Sequence, residues 1–121
     1  MAKLAIEVGA KEANGGSVTM LDVDGIIDGS TVGELEERFE QLKQGGQARF
    51  IFDFTDLEYI SSAGIGFFMK EADAAKEQRG AIVLMKLSPR VSRIFELLDL
   101  LDFFYITDSE SDALAKMAPP A

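Results

Sequence analysis

The pattern of apolar and polar residues predicts short strands that alternate with amphipathic helices. Residues 4–8 alternate, as in a strand with one buried face, and residues 17–23 form a returning strand after the turn residues Asn14-Gly15-Gly16. The alternation slips near Met20-Leu21, so the pattern does not assign the two faces of this second strand. Asp24-Gly25 is expected to end it.

Two later segments are almost continuously apolar. Residues 49–54 and 81–87 are typical of strands that are covered on both faces. A shorter apolar segment, 103–106, predicts a last strand. The residues just before Ser61 indicate only a short acidic link.

The first two helices are predicted from apolar spacing and from their boundary residues. One begins at Thr31, which is predicted to form a capping box with Glu34, and ends at Gly45-Gly46. The next begins at the adjacent serines 61–62 and ends at Gly80.

Two further helices follow. The third has Ser88 as its N-cap and Pro89 at its first position, and the fourth is capped by Asp108 or Ser109 and runs to about Met117. The apolar stripes of the first three helices are Val32, Leu35, Phe39 and Leu42; Ile65, Phe68, Met69, Ala72 and Ala75; and Val91, Ile94, Phe95 and Leu98.

This order of elements predicts an α/β fold. Strands that alternate with helices favour parallel pairing through right-handed crossovers, and the opening hairpin makes the sheet mixed. We expect one domain over residues 3–117, followed by a frayed tail at 118–121.

Composition narrows the functional classes. With 121 residues, 47% of them hydrophobic, the chain can bury a core. A net charge of −9 argues against binding to nucleic acid or to an anionic membrane, and no run approaches the roughly 20 apolar residues of a membrane helix. The N-terminus does not resemble a signal peptide, so a cytoplasmic location is predicted.

The absence of Cys and His removes thiolate chemistry, the commonest general base and the commonest metal ligand. A hydrolase elbow would need glycine where Ile60 stands, two residues before Ser62, and a triad would need a base. We therefore predict no catalytic residues, no metal site and no cofactor.

Three binding motifs are matched only in part. Gly64-Ile65-Gly66 opens a helix after a strand, but Met69 stands where a dinucleotide fingerprint needs its third glycine, so close packing of helix on sheet is the preferred explanation. Asp22, Asp24 and Asp28 do not have the spacing of a calcium loop. Asp53 could be compared with a receiver-type phosphoacceptor, but such a site also needs a pair of acidic residues at the end of the first strand and a lysine at the end of the last. Neither is present.

The paired serines are the remaining candidate site. A serine at a helix N-terminus lies beside unpaired backbone N–H groups, which favour an anion. Ser62 is interpreted either as an ordinary N-cap or as a phosphorylation site, and the two roles are compatible. A phosphate there would add roughly −1.5 to −2 charge next to the acidic residues Asp53, Asp56 and Glu58.

Three segments together resemble a STAS domain of the anti-sigma factor antagonist type. They are Asp24-Gly25-Ile26-Ile27-Asp28, the stretch from Asp53 through Ser61-Ser62-Ala63-Gly64-Ile65-Gly66, and Leu87-Ser88-Pro89-Arg90-Val91-Ser92-Arg93-Ile94-Phe95. The resemblance covers about residues 3–117. It implies the STAS fold, a mixed sheet of four to five strands with about four helices packed mainly on one side.

The resemblance also implies partners and a switch. Family members bind an anti-sigma factor, usually a serine kinase with a histidine-kinase-like ATPase fold. Phosphorylation of a serine releases the antagonist, and a metal-dependent serine phosphatase resets it. The protein would thus regulate transcription indirectly and would not be an enzyme.

By motif position the phosphorylated serine falls on Ser62. Many members have Asp immediately before that serine, whereas this chain has Ser61, which leaves Ser61 as an alternative. The surface that binds the partner is expected to comprise Asp28, Ser61, Ser62, Ala63, Gly64 and Phe67. Phe67 is either partly exposed beside Ser62 or packed on a neighbouring helix.

A second hypothesis is a constitutive STAS subunit of a lipid-transport or signalling complex. It requires a stable apolar contact with a partner and no covalent modification. The kinase partner and the phosphoserine distinguish the two hypotheses.

Overall fold

The computed structural model describes residues 3–77 and 81–117, so the predicted stop at Gly80 and the predicted tail at 118–121 lie outside the described residues. The elements are β1 (Leu4–Ala13), β2 (Gly16–Ile27), α1 (Val32–Gln44), β3 (Arg49–Asp53), β4 (Leu57–Ile60), α2 (Ser62–Glu77), β5 (Ala81–Met85), α3 (Pro89–Leu97), β6 (Tyr105–Thr107) and α4 (Glu110–Ala115). They form one mixed sheet in the order β1-β2-β3-β5-β6, and β4 pairs with β2.

The predicted hairpin is confirmed, and its strands are longer than expected. Asn14 and Gly15 have φ of 52° and 82°, which fits a two-residue turn whose twist matches that of the flanking strands. β1 and β2 pair antiparallel from Leu4↔Gly25 to Ala13↔Gly16. All other strand pairs in the described sheet are parallel.

The prediction that Asp24-Gly25 ends β2 is wrong, because the strand continues to Ile27. Gly25 has φ of 109°, and a Cβ atom there would overlap the Lys3 carbonyl oxygen. The register with β4 shifts between Gly25 and Ile26. The glycine therefore marks an irregularity within the strand, at the point where β2 changes its parallel neighbour from β3 to β4.

The acidic link before Ser61 is in fact a short strand, β4, so within residues 3–77 and 81–117 the sheet has six strands instead of the four to five predicted. Leu57 and Ile60 are buried, whereas Glu58 and Tyr59 are exposed. Four residues are too few for a clear periodicity, and the acidic residues around them hid the strand from the pattern.

The two faces of the sheet carry separate cores, and the prediction that helices pack mainly on one side is confirmed. The larger core joins alternate strand residues to α1, α2 and α3, and includes Leu21, Phe52, Phe39, Phe68 and Phe95. The smaller core joins the other strand residues to α4, and consists of Val18, Ile51, Val83, Met85, Ala113 and Met117.

Two predictions about the helices α1 and α3 are wrong. Thr31 precedes α1, but its hydroxyl makes no cap hydrogen bond to the helix, so the capping box with Glu34 does not form. Leu98 was expected on the apolar face of α3 and is 53% exposed, because the helix ends at Leu97 and Asp99 turns the chain with φ of 57°.

The remaining boundaries agree closely with the predictions. α1 ends at Gln44 with Gly45 as its C-cap, and Gly46 has φ of 94°. Ser109 caps α4 by accepting a hydrogen bond from the Asp112 N–H at 3.1 Å. The last strand begins two residues later than predicted, at Tyr105.

Candidate functional site

The ends of β2 and β4 bring Asp28 and the paired serines to one edge of the sheet. Ile27 and Ile60 are partners in a parallel pair, and the Ser61 N–H donates to the Ile27 carbonyl oxygen at 2.9 Å. Parallel strands end at the same edge, so the residues that follow them, Asp28 and Ser61-Ser62, are neighbours.

The structure distinguishes the two serines. The Ser61 carbonyl oxygen accepts the first helical hydrogen bond, from the Ile65 N–H at 3.0 Å, so Ser61 holds the N-cap position and the N-cap interpretation of Ser62 is wrong. Ser62 is the first helical residue, and both it and Ala63 are exposed. The Ser61 Oγ is buried and has no hydrogen-bond partner among the described residues.

Gly64 brings the first turn of α2 against the sheet. A Cβ atom at this position would lie 2.6 Å from Ile27 Cγ2 and 2.7 Å from Ile60 Cγ1. Gly66 is exposed, and a Cβ atom added there would have no neighbour within 4 Å. Close packing therefore explains Gly64, as expected, but does not explain Gly66.

Asp28 is held by the loop that leads into α1. Its Oδ1 accepts hydrogen bonds from the Ser30 N–H at 2.8 Å and the Ser30 hydroxyl at 2.7 Å. The Thr31 hydroxyl accepts from the Asp28 N–H at 2.9 Å and donates to the Ile26 carbonyl oxygen at 2.8 Å. The hydrogen bonds from Ser30 lower the pKa of Asp28 and hold its carboxylate in place, so that its negative charge lies at the same edge of the sheet as the serines.

Phe67 is not exposed beside Ser62, because its side chain is only 8% exposed. Its ring meets Phe39 of α1 edge-on, with centroids 5.6 Å apart, and also contacts Phe68. The packed alternative is therefore correct, and Phe67 belongs to the core.

Asp53 lies away from the serines, in a second group of carboxylates. Glu7, Asp22 and Asp53 are lateral neighbours on β1, β2 and β3, on the face of the sheet that carries α4. Burial raises the pKa of Asp22, and the nearby charges of Asp53, Asp56, Glu7 and Asp24 raise it further. Within residues 3–77 and 81–117, no group of three or more acidic side chains is placed to hold a metal ion.

Tyr59, three residues before Ser62 in the chain, was not among the site residues predicted from the sequence. Tyr59 is 37% exposed, and the Arg90 guanidinium of α3 lies 5.6 Å from the centroid of its ring. The only sequence signal was an aromatic residue between the apolar residues Leu57 and Ile60, in a segment interpreted as a link.

The whole architecture can be compared with known proteins. The family model for the STAS domain matches residues 10–113. The chain belongs to the STAS domain family. The match includes part of β1, the serines and three complete helices, and it ends inside α4.

Two relatives are similar in sequence to this STAS protein. The putative anti-sigma factor antagonist BtrV of Bordetella bronchiseptica is 29% identical over 93 residues, which are 77% of this chain and 80% of BtrV. The anti-sigma-B factor antagonist of Staphylococcus aureus is 28% identical over 86 residues, 71% of this chain and 80% of that protein.

Solved structures share the fold of this STAS protein. An anti-sigma factor antagonist from Mycobacterium paratuberculosis has a TM-score of 0.75 at 20% identity, covering 95% of this chain and 94% of its own. SpoIIAA in its unphosphorylated form has a TM-score of 0.73 at 18% identity, with 93% and 95% coverage. Its phosphorylated form from Bacillus has a TM-score of 0.68 at 18% identity, with 93% and 98% coverage. In the described ranges, the helices are too short or too polar to cross a membrane.

Proposed function

We propose that this STAS protein is an anti-sigma factor antagonist that switches partners through phosphorylation of Ser62. In this proposal the unphosphorylated protein binds an anti-sigma factor, itself a serine kinase with a histidine-kinase-like ATPase fold, and so regulates transcription indirectly. Phosphorylation releases the complex, and a serine phosphatase restores it. The names of the similar proteins support the general role.

The observation that carries the proposal is the different accessibility of the two serine hydroxyls. Ser62 is exposed at the first position of α2, whereas the Ser61 Oγ is buried. A kinase must reach the hydroxyl that it modifies, which favours Ser62 over Ser61. The solved structures of SpoIIAA in two phosphorylation states support the idea that this fold can carry such a modification.

The local electrostatics suit a switch in binding. A phosphate on Ser62 would meet the free N–H groups and the positive end of the dipole of α2, which stabilise an anion. It would also stand near the carboxylate of Asp28, whose pKa the hydrogen bonds from Ser30 lower below its usual value. The helix can therefore tolerate the phosphate, while a partner fitted to a neutral hydroxyl would face a concentrated negative charge.

The proposed surface for the partner consists of Asp28, Ser62, Ala63 and the backbone around Ser61 and Gly64, with Tyr59 beside it. Phe67 is left out because it is buried.

Affinity capture from a lysate of the native host tests the proposal, using wild type, Ser62→Ala and Ser62→Asp as baits. We expect an ATPase-fold kinase on wild type and on Ser62→Ala. Ser62→Asp should lose it by at least about tenfold, because a partner fitted to a neutral hydroxyl would bury the new carboxylate without a counter-charge. Incubating the captured kinase with ATP should label wild type at Ser62 and leave Ser62→Ala unlabelled.

Ser111→Asp is the matched control, because Ser111 is also exposed near the start of a helix but lies on α4, across the sheet. It adds the same charge and should keep the kinase. If Ser62→Asp holds the same partner as wild type and no phosphoserine forms, the switch is excluded and a constitutive STAS subunit becomes the better interpretation. Label on Ser61 would exclude the assignment to Ser62.

A further inference from the structure

The outer side of β1 is an unpaired sheet edge in the described part of the chain. β1 is the first strand in the sheet order, and among residues 3–77 and 81–117 only β2 pairs with it. Residues 7–12 are exposed throughout. An edge of this length presents a row of N–H and C=O groups that can pair with another strand.

The hydrogen bonds of the hairpin show which backbone groups point outward. Lys3 bonds to β2, since its carbonyl oxygen accepts from the Ile26 N–H at 2.9 Å. Bonded and non-bonded pairs alternate in an antiparallel ladder, so the odd-numbered residues of β1 bond to β2. The even-numbered residues direct their backbone groups to the free edge: Leu4, Ile6, Val8, Ala10 and Glu12.

We propose that this edge pairs with the same edge of a second copy of the chain, antiparallel and centred on Gly9. In this register, Val8 of one copy lies opposite Ala10 of the other, so outward-pointing backbone groups meet and form hydrogen bonds. Glu7 of each copy lies opposite Lys11 of the other. The pairing thus joins the sheets of the two copies into one and adds two cross-strand ion pairs.

Charge selects this register over its neighbours. Centring the two-fold axis on Glu7 or on Lys11 places identical charges opposite each other. Centring it on Val8 or Ala10 places Glu7 and Lys11 opposite uncharged residues. If the axis passes between two residues, an even-numbered residue lies opposite an odd-numbered one. Backbone groups directed to the free edge then face groups already bonded to β2, and no ladder of hydrogen bonds forms.

Gly9 and Val8 suit their places in the proposed contact between the two β1 strands, which we call the seam. Gly9 faces its own copy in a non-hydrogen-bonded pair, where Cα atoms approach to about 4.5 Å and side chains would crowd. Val8 is 36% exposed in the single chain and would be covered across the seam. The net charge of −9 on each copy opposes association, so we expect a weak dimer.

The seam lies away from the surface proposed for the partner. Gly9 pairs with Met20, which is seven residues before Ile27, or roughly 23 Å along β2. Dimerisation can therefore succeed or fail in a test independently of the role of Ser62.

Charge reversal tests the register. Sedimentation equilibrium of the full chain over a wide concentration range should show a monomer–dimer equilibrium for wild type. Glu7→Lys and Lys11→Glu should each lower the association constant by about tenfold or more, because each sets like charges opposite each other. The double variant keeps the net charge of wild type and should restore the association.

Two control variants separate the loss of the ion pairs across the seam from an effect of net charge and from the loss of an ion pair within one chain. Glu37→Lys changes the net charge as Glu7→Lys does, but on an exposed position of α1, and should not weaken the dimer. Glu110→Gln removes the 2.8 Å ion pair that Lys11 makes within its own chain, and should not weaken the dimer either. Thermal melts by circular dichroism check that each variant is folded.

Cross-linking tests the centre directly, because the chain has no cysteine of its own. Gly9→Cys should form a disulfide-linked dimer rapidly in oxidised glutathione, since opposite Cα atoms at the axis lie within the disulfide range. Its Cβ has no heavy atom within 4 Å in the single chain. Ala5→Cys is the matched control: in this register the two copies of residue 5 are roughly 27 Å apart.

Three outcomes would overturn the proposal. They are a wild type that stays monomeric at all concentrations, a dimer that is indifferent to both single charge reversals, and equal cross-linking of Gly9→Cys and Ala5→Cys.

Discussion

At the scale of single residues, the two glycines of the Gly64-Ile65-Gly66 segment have different roles that the sequence does not distinguish. Gly64 lies against Ile27 and Ile60, whereas Gly66 faces solvent. The sequence shows only that glycines occur where a helix begins. Which of them touches the sheet depends on the rotation of α2 about its axis, and tertiary packing sets that rotation.

Substituting these glycines by alanine should have opposite effects. Gly64→Ala places a methyl group less than 3 Å from two isoleucine carbons, so we expect the free energy of unfolding to fall by about 1–3 kcal/mol. Gly66→Ala meets no neighbour and should raise it by roughly 0.5–1 kcal/mol through helix propensity. Urea denaturation measures the free energy of unfolding of both variants. Equal changes in the two variants would contradict the packing of α2 on the sheet.

At the scale of elements, the start of α1 is stabilised by the preceding loop and not by a capping box. The Thr31 hydroxyl bridges the Asp28 N–H and the Ile26 carbonyl oxygen, and Thr31 is 3% exposed. The sequence showed Thr31 and Glu34 at the spacing of a capping box, but spacing alone does not say whether the threonine hydroxyl turns forward to the helix or back to β2.

Thr31→Val should therefore destabilise the protein far more than Glu34→Ala. The valine keeps the shape of the side chain and leaves two backbone groups without their partner, which costs about 1–3 kcal/mol. Glu34 is exposed and its loss should change stability by less than about 0.5 kcal/mol. Thermal and urea unfolding give both values; a large effect of Glu34→Ala would indicate that the capping box forms after all.

At the scale of the whole molecule, the sheet gathers like charges that are distant in sequence. Glu7, Asp22 and Asp53 belong to three strands and become neighbours only through the register of β1, β2 and β3. The net charge of −9 shows that carboxylates outnumber cationic groups in the molecule. Burial and the neighbouring carboxylates raise the pKa of Asp22. The fold therefore favours the protonated form of Asp22 more than the unfolded chain does.

Asp22→Asn should stabilise the protein at neutral pH. Like charges opposite each other on adjacent strands are destabilising, and we expect a gain of about 0.2–1 kcal/mol. Because the pKa of Asp22 is higher in the folded than in the unfolded state, wild type loses stability as pH rises from about 4 through the folded pKa. The advantage of the variant should therefore shrink as pH falls towards 4.

Asp28→Asn provides the control of opposite sign. The pKa of Asp28 is lowered in the folded state, so its carboxylate stabilises the fold at neutral pH and this contribution is lost as pH falls through the folded pKa. The variant should be less stable than wild type at pH 7 and approach it in acid. Urea unfolding of wild type and both variants between about pH 3 and pH 7 measures the two trends. If stability changed with pH in the same way relative to wild type in both variants, the opposite pKa changes of Asp22 and Asp28 on folding would be refuted.

The sequence by itself determined most of the elements and the location of the candidate site. Continuous apolar segments predicted β3 and β5, the turn residues Asn14-Gly15 predicted the hairpin, and Ser61-Ser62 predicted the start of α2. These are local signals, because burial on both faces, positive φ and helix termini each leave a mark on a few consecutive residues.

Only the tertiary structure decided which residues are reached by solvent. α2 is enclosed by the sheet on one side and by α1 on the other, so the adjacent residues Phe67 and Phe68 are both buried although one stripe cannot contain both. β4 exists because β2 extends past its glycine and offers it an edge. The same packing buries the Ser61 hydroxyl and leaves Ser62 exposed, a difference that two identical neighbouring residues cannot express in sequence.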